Sequence, residues 1–388
     1  MNQFVLRLNC YLYGALAITL AFLLLLIYIR GQGNHFPNPF NRKNIVYQPA
    51  VQTHGVLLGK RFNLLAYSPE QDEGHILVLG PSGTGKTSAL LIPTLRSWQG
   101  TALVVDISGD ISANVQAENK IIFDPTSKDC IPYNVFASID AIGDETERLE
   151  RLEQLAYLLL PDKANNSEAG VFFCKNGRKM ITAALICYYG MGWDFIRICE
   201  HFLSNDWRSL LNDIASQQNQ TANMYISSFA GASEQNTAGC KQAADDALKL
   251  FATNEKIKNA LRKTASYEQS ISPATLETNS IYIYIPDEKL KIYGDLLRII
   301  TAQSMEYFSA RPKNKQMILF CLDEFASFGK LQITESLRKL RKRHIRIMVL
   351  TQSLADLDMI YGKDERKAML GNFKFTILLG CKDTETQE

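Results

Sequence analysis

Gly80-Pro81-Ser82-Gly83-Thr84-Gly85-Lys86-Thr87 fits the pattern G-x-x-x-x-G-K-[ST], and Ser88 continues it. Its neighbours decide the fold. The apolar run 75–80 before it reads as a strand, and 86–97 after it reads as a helix. Strand, glycine loop and helix in that order turn backbone N–H groups and a positive helix terminus toward an anion. In that chemistry Lys86 reaches the β- and γ-phosphates of ATP, and Thr87 ligates Mg²⁺. Residues 80–88 are therefore the candidate nucleotide-binding set. A chance glycine-rich turn would not come with both flanking elements.

Working outward, short apolar runs at 101–107 and 120–124 read as further strands. From 145 to 268 the periodicity is helical throughout, as in 147–160, 177–189 and 239–250. Strand rhythm returns at 280–285, 316–322, 345–351 and 373–379. Buried strands alternating with helices imply a parallel sheet covered on both faces. The expected architecture is an α/β domain in two parts, 31–144 and 269–388, interrupted by an all-helical insertion at 145–268. Residues 31–70 read as a linker and lead-in segment.

A second site element follows. Met317-Ile318-Leu319-Phe320-Cys321-Leu322 is a buried strand ending in Asp323-Glu324. Carboxylates at the C-terminal end of such a strand lie on the ligand-binding edge of the sheet. Asp323 suits the metal, and Glu324 suits the base that orients or deprotonates water. The next strand ends in Thr351-Gln352-Ser353. With that tip beside the carboxylate strand, Gln352 is placed to contact the γ-phosphate and sense its loss. Between the two strands, Ile333, Leu337, Leu340 and His344 fall on one helical stripe that packs against the sheet. His344 is read there as structural rather than catalytic. The other face carries Arg338, Lys339, Arg341, Lys342 and Arg343. Three readings stay open: an arginine serving a neighbour's site, contacts to nucleic-acid phosphates, or a plain solvated face.

Composition narrows the class without choosing a partner. The 388 residues are 46% hydrophobic and 21% charged, with a net charge of +2, which is ordinary for a globular chain. The eight cysteines are scattered without a C-x-x-C pair or a Cys/His cluster, which suggests neither a zinc site nor a disulfide framework and reads as free thiols in a reducing cytosol. Residues 8–29 are uncharged and mostly apolar between Arg7 and Arg30, long enough to cross a core of roughly 30 Å as a helix. Tyr11, Tyr13 and Tyr28 sit near the ends, where interfacial aromatics belong. Arg30-Gly31-Gln32-Gly33-Asn34 offers no small-residue cleavage site, so 1–30 reads as an uncleaved single-pass anchor. ATP then places the remainder in the cytoplasm.

These residues together resemble the TraG/TraD-type coupling proteins of conjugation and type IV secretion. The resemblance rests on the nucleotide motifs and on Ile122-Phe123-Asp124-Pro125 followed by Tyr133-Asn134. It rests also on the helical insertion, on Asp323-Glu324-Phe325, and on Arg343-His344-Ile345-Arg346 leading to Leu350-Thr351-Gln352-Ser353. It implies a RecA-like core and a homo-hexamer in the bacterial inner membrane, touching lipid. It also implies a helical domain that recruits a relaxase–DNA complex, with its single-stranded DNA, or effector proteins. ATP hydrolysis would drive these into the secretion channel. By position, Arg341 resembles the family's trans-acting arginine. There are departures. The family usually carries two membrane helices, Ser108-Gly109-Asp110 stands where Lys-Gly-Glu is common, and the sequence stops soon after 373–379, as expected of a C-terminally truncated form. A DNA translocase of the chromosome-segregation type shares the core, but the helical insertion counts against it. Intact Lys86, Thr87, Asp323 and Glu324 count against a non-hydrolysing, ATP-gated docking receptor, and the expected C-terminal truncation counts for it.

Overall fold

The computed structural model describes residues 19–20, 45–61, 64–70, 74–162, 167–263, 270–312 and 316–380. The anchor read at 8–29 lies outside them apart from Thr19 and Leu20. Among the described residues, no helix is long and apolar enough to cross a membrane.

The chain divides into two compact units. One takes Met1–Asp72 with Ser97–Gln99. It holds β1 (Val46–Gln48), β2 (Leu57–Arg61) and β3 (Leu64–Tyr67) in an antiparallel sheet of order β1-β3-β2. Thr53 fastens residues 97–99 to this unit: its N–H donates to the Ser97 carbonyl (2.7 Å) and its carbonyl accepts from Gln99 (3.2 Å). Trp98 meets His54 edge to face. Within the stretch read as a linker and lead-in, the described residues from 46 to 67 thus carry a small sheet. Its strands are short, and among their described side chains Leu57, Ala66 and Tyr67 are the buried ones, so no alternation long enough to read is present.

The second unit holds a seven-stranded parallel sheet of order β10-β4-β9-β8-β5-β7-β6. Its strands are β4 (His75–Leu79), β5 (Thr101–Asp106), β6 (Lys120–Phe123), β7 (Ser280–Tyr284), β8 (Ile318–Leu322), β9 (Ile345–Thr351) and β10 (Phe373–Leu378). Every residue of β4, β5, β8 and β9 is buried, which explains why they read as continuous apolar runs. Edge strand β10 alternates instead, with Phe373 and Phe375 in and Lys374 and Thr376 out.

Helices cover the sheet. A π-helical turn, Lys86–Leu91, runs into α1 (Ile92–Ser97), and α2 (Asp110–Asn114) follows β5. Between β6 and β7 the described residues form α3 (Ala137–Asp140), α4 (Glu145–Leu159), α5 (Glu168–Gly190), α6 (Phe195–Ser204), α7 (Trp207–Ser216), α8 (Gln220–Ile226), α9 (Glu234–Thr253) and α10 (Glu255–Leu261). Side chains of Asp144, Ser167, Asp194, Asp206, Asn219, Ser233 and Asn254 accept backbone N–H bonds at the starts of α4 to α10 in turn. Each cap satisfies an orphan donor, and that punctuation divides the helical run. Beyond β7 come α11 (Asp287–Ser309), α12 (Ile333–Leu340), α13 (Leu354–Tyr361) and α14 (Lys363–Leu370). Helix α11 ties the helical section to the sheet. Its Gln303 accepts from the Tyr133 hydroxyl (2.9 Å) and donates to the Val135 carbonyl (2.8 Å), while Arg298 donates to the Leu158 carbonyl (3.0 Å).

The basic helix differs in one residue from its expected stripe. Ile333, Leu337 and Leu340 are buried, but His344 lies off the helix. A 3₁₀ turn, Arg341–Arg343, ends α12, and His344 takes a left-handed conformation (φ 59°) that starts β9. The structural histidine is His75. It is fully buried, its Nδ1 accepts from the Ile347 N–H (3.0 Å), and its Nε2 donates to the Leu337 carbonyl (2.7 Å). That joins β4, β9 and α12. Burial pushes its pKa down from 6.5 to about 4, and the nearby Arg341 and Arg346 push the same way. A depressed folded-state value means the unfolded chain takes up the proton first. Stability is therefore present above pH 6.5 and falls as pH drops toward 4, by up to about 3 kcal/mol from this group. Denaturant titrations across pH 4 to 7 should show this slope, and His75→Gln should flatten it. An unchanged slope in that variant would refute the assignment.

Candidate active site

The phosphate-type loop begins where β4 ends. Gly80 donates to the Thr351 carbonyl at the tip of β9 (3.2 Å). A Cβ at Gly80 would lie 2.6 Å from the Leu379 carbonyl oxygen and 2.7 Å from the Thr84 hydroxyl, so only glycine fits. Gly83 and Gly85 take positive φ (78° and 88°), which winds the loop back on itself. Thr84 braces the turn by donating to the Pro81 carbonyl (2.8 Å). Pro81, Ser82 and Ser88 are exposed on its rim. Lys86 is 6% exposed, and its Nζ donates inward to the carbonyls of Gly80 (2.6 Å) and Pro81 (3.2 Å). At the helix opening, Ile92 bonds back to Thr87 in i→i−5 fashion, a π-type turn that is frequent at functional sites.

The acidic strand arrives beside it. Strands β4, β9 and β8 are consecutive in the sheet and parallel, so their C-terminal tips share one edge. Across that edge the Thr87 hydroxyl donates to Asp323 Oδ2 (2.9 Å). Asp323 is 7% exposed; burial raises its pKa, and the bond from Thr87 works against that. Glu324 donates its N–H to Asp323 Oδ1 (3.1 Å) and takes a left-handed backbone (φ 47°, ψ 44°), a strained state for a residue with a Cβ. Gln352 Nε2 donates to Glu324 Oε2 (3.2 Å). Lys86, Thr87, Asp323, Glu324 and Gln352 therefore meet at one place. An ammonium, a hydroxyl–carboxylate pair of hard oxygen donors, and a half-exposed carboxylate steered by an amide suit a Mg²⁺-bound polyphosphate. Among the described residues no cluster of three His, Cys, Asp or Glu forms a metal cage, so Mg²⁺ here would complete its shell with phosphate and water.

Arg341 does not join them. It is exposed and precedes β9, while Gln352 follows it; the seven-residue strand between them spans roughly 20 Å. One residue that the sequence reading passed over is Asp106, fully buried at the tip of β5. It accepts from the N–H groups of Gly109 (2.9 Å) and Ser112 (2.6 Å) and fixes Ser108-Gly109-Asp110 at the start of α2. The signal was available, since an acid ends this apolar strand as Asp323 ends β8.

A parallel α/β sheet with this loop at its edge defines the P-loop NTPase class. Residues 38–388 match the family described as type IV secretory system conjugative DNA transfer, and the chain belongs to that family. Its relatives include the type IV secretion system-coupling protein VirD4 of Bartonella quintana (strain Toulouse). That protein is 22% identical over 342 residues, which cover 83% of this chain and 53% of the relative. Protein VirD4 of Agrobacterium fabrum (strain C58 / ATCC 33970) is 23% identical over 338 residues, 83% of this chain and 49% of its own length. The chain thus spans about half the length of these curated relatives. Among solved structures, the plasmid coupling protein TrwB in complex with the GTP analogue GDPNP has a TM-score of 0.69 at 19% identity, covering 92% of this chain and 84% of that one. The two share a fold.

Gly80→Ala should destabilise the protein by roughly 1–3 kcal/mol, because the new methyl meets backbone that cannot move aside. Gly143, with open space around its Cβ position, is the control, and Gly143→Ala should be close to neutral. Equal unfolding midpoints for the two variants would contradict this packing.

Proposed function

We propose that this chain is the ATP-hydrolysing part of a coupling protein that drives DNA–relaxase complexes or effector proteins into a type IV secretion channel. The observation that carries the reading is the convergence of Lys86, Thr87, Asp323, Glu324 and Gln352 at three neighbouring strand tips. Family membership supports the secretion role. Structures of TrwB with ADP and Mg²⁺ and with an ATP analogue support the ligand.

In this reading backbone N–H groups of the loop and the Lys86 ammonium bind phosphate oxygens. Thr87 and Asp323 would hold Mg²⁺, which would supply positive charge to offset that on the phosphates. Glu324 takes the proton of the attacking water as the bond between the γ-phosphorus and its bridging oxygen breaks. Gln352 holds the Glu324 carboxylate toward that water and senses the γ-phosphate. Arg341, remote from its own chain's site, would serve the next subunit of a homo-hexamer, and residues 8–29 would anchor the assembly in the inner membrane.

Purified protein should hydrolyse ATP, faster with single-stranded DNA, and the stimulation should fade as salt rises. Lys86→Ala should abolish turnover. Glu324→Gln should still bind ATP while turnover falls by roughly 10²-fold or more. A Lys86→Ala chain as fast as the parent would overturn the site. For the shared arginine, Arg341→Ala and Glu324→Gln chains, each inactive alone, should recover activity when mixed, since a mixed ring pairs an intact Glu324 with a neighbour's Arg341. No recovery in rings shown to be mixed would remove Arg341 from the site.

A further inference from the structure

Glu324 sits in a backbone state that a residue with a Cβ avoids, so something must hold it there. Its own side-chain bond to Gln352 fixes the carboxylate but not the chain beneath it. The next residue supplies the second grip. Phe325 is fully buried, and its ring stacks parallel on that of Tyr361, with centroids 6.0 Å apart and planes 7° off. Phe328 meets Phe325 edge to face at 5.8 Å. The Tyr361 hydroxyl accepts from the Leu331 N–H (3.2 Å), so the tyrosine holds both ends of residues 325–331.

Tyr361 is the last residue of α13, and α13 begins two residues after Gln352. Its start is locked: Ser353 Oγ accepts from the Asp356 N–H (3.2 Å), and Asp356 Oδ2 accepts from the Ser353 N–H (3.0 Å). Its second half is held by α14, whose buried Arg366 forms an ion pair with Asp358 (2.7 Å), and Lys330 ties the 325–331 segment to α14 through Glu365 (2.9 Å). Eight helical residues make a strut of roughly 12 Å. One end leads to the amide that holds the Glu324 carboxylate, and the other carries the ring that holds the Glu324 backbone.

We propose that Tyr361 is a positioning residue for Glu324: through its stack on Phe325 it closes a loop, Glu324–Phe325–Tyr361–α13–Gln352–Glu324, that aims the carboxylate. The inference rests on the hydrolytic reading of the site. Cutting the stack lets the turn at Glu324 relax and moves the carboxylate. The contacts of Lys86 and Thr87, carried by β4 and its loop, stay as they are.

The test is a double-mutant cycle on ATP turnover, with nucleotide affinity measured on every chain. Tyr361→Leu should lower kcat by about 10- to 100-fold, the scale of an ångström-sized misplacement, with KM and nucleotide affinity unchanged. In a Glu324→Gln background the same change should cost less than about 2-fold, because the group it positions is gone. Tyr361→Phe keeps the ring and should stay near the parent. Phe325→Leu cuts the stack from the other side, carries the cycle if Tyr361→Leu does not fold, and should behave the same way. Equal losses in both backgrounds, a drop in affinity, or a Tyr361→Phe chain as impaired as Tyr361→Leu would overturn the proposal. Should the Glu324→Gln chain turn over like the parent, the hydrolytic reading falls and this inference with it. Glu324-dependent turnover with independent Tyr361 losses removes this inference alone.

Discussion

A parallel sheet buried on both faces has little room for charge except where its strands end, and Arg346, fully buried as the second residue of β9, is an exception. Side chains along β4, β5, β8 and β9 face helices on either side, so an unpaired carboxylate or ammonium in mid-strand would be desolvated without compensation. The strands all run one way, so their carboxyl ends gather at one edge, and the functional groups gather with them. The Thr87–Asp323 hydrogen bond, between residues 236 apart in sequence, is a product of that alignment. Asp106 on β5 obeys the same rule and spends its oxygens on capping a helix.

That constraint explains what the sequence made legible. The phosphate-type loop is local, and its glycines, lysine and threonine announce themselves by spacing. Asp323 and Glu324 stand out because two acids follow an uninterrupted apolar strand, and Gln352 because it ends the next one. Strands β8 and β9 are neighbours, as consecutive strands joined by a helix tend to be, so the pairing of Gln352 with Glu324 was within reach. Long helices such as α5 and α9 were visible through their periodicity.

What escaped notice depends on distant partners or on single backbone angles. Strands β1 to β3 are too short, and too few of their described side chains are buried, to leave a pattern. His75 looked like the polar first residue of a strand, and its role needs Ile347 and Leu337 beside it. His344 shared the helical spacing of Leu337 and Leu340, but a left-handed turn takes it out of phase, and no composition rule marks that turn. The stack of Phe325 on Tyr361 joins residues 36 apart in numbering through a helix packing that propensity does not encode.

The ammonium of Lys86 is already lodged among the carbonyls of its own loop. In the reading proposed above, a phosphate reaching this lysine would exchange acceptors with those two oxygens and would not have to order a floppy chain. The entropy of arranging the loop has been spent during folding, and the entering group has only to outcompete neutral dipoles. A carbonyl pair sets a threshold that a polyanion clears by its charge and that a neutral or singly charged solute meets on poor terms. The same long side chain that ties the carbonyls of Gly80 and Pro81 together would thereby favour polyanions among the solutes that reach it.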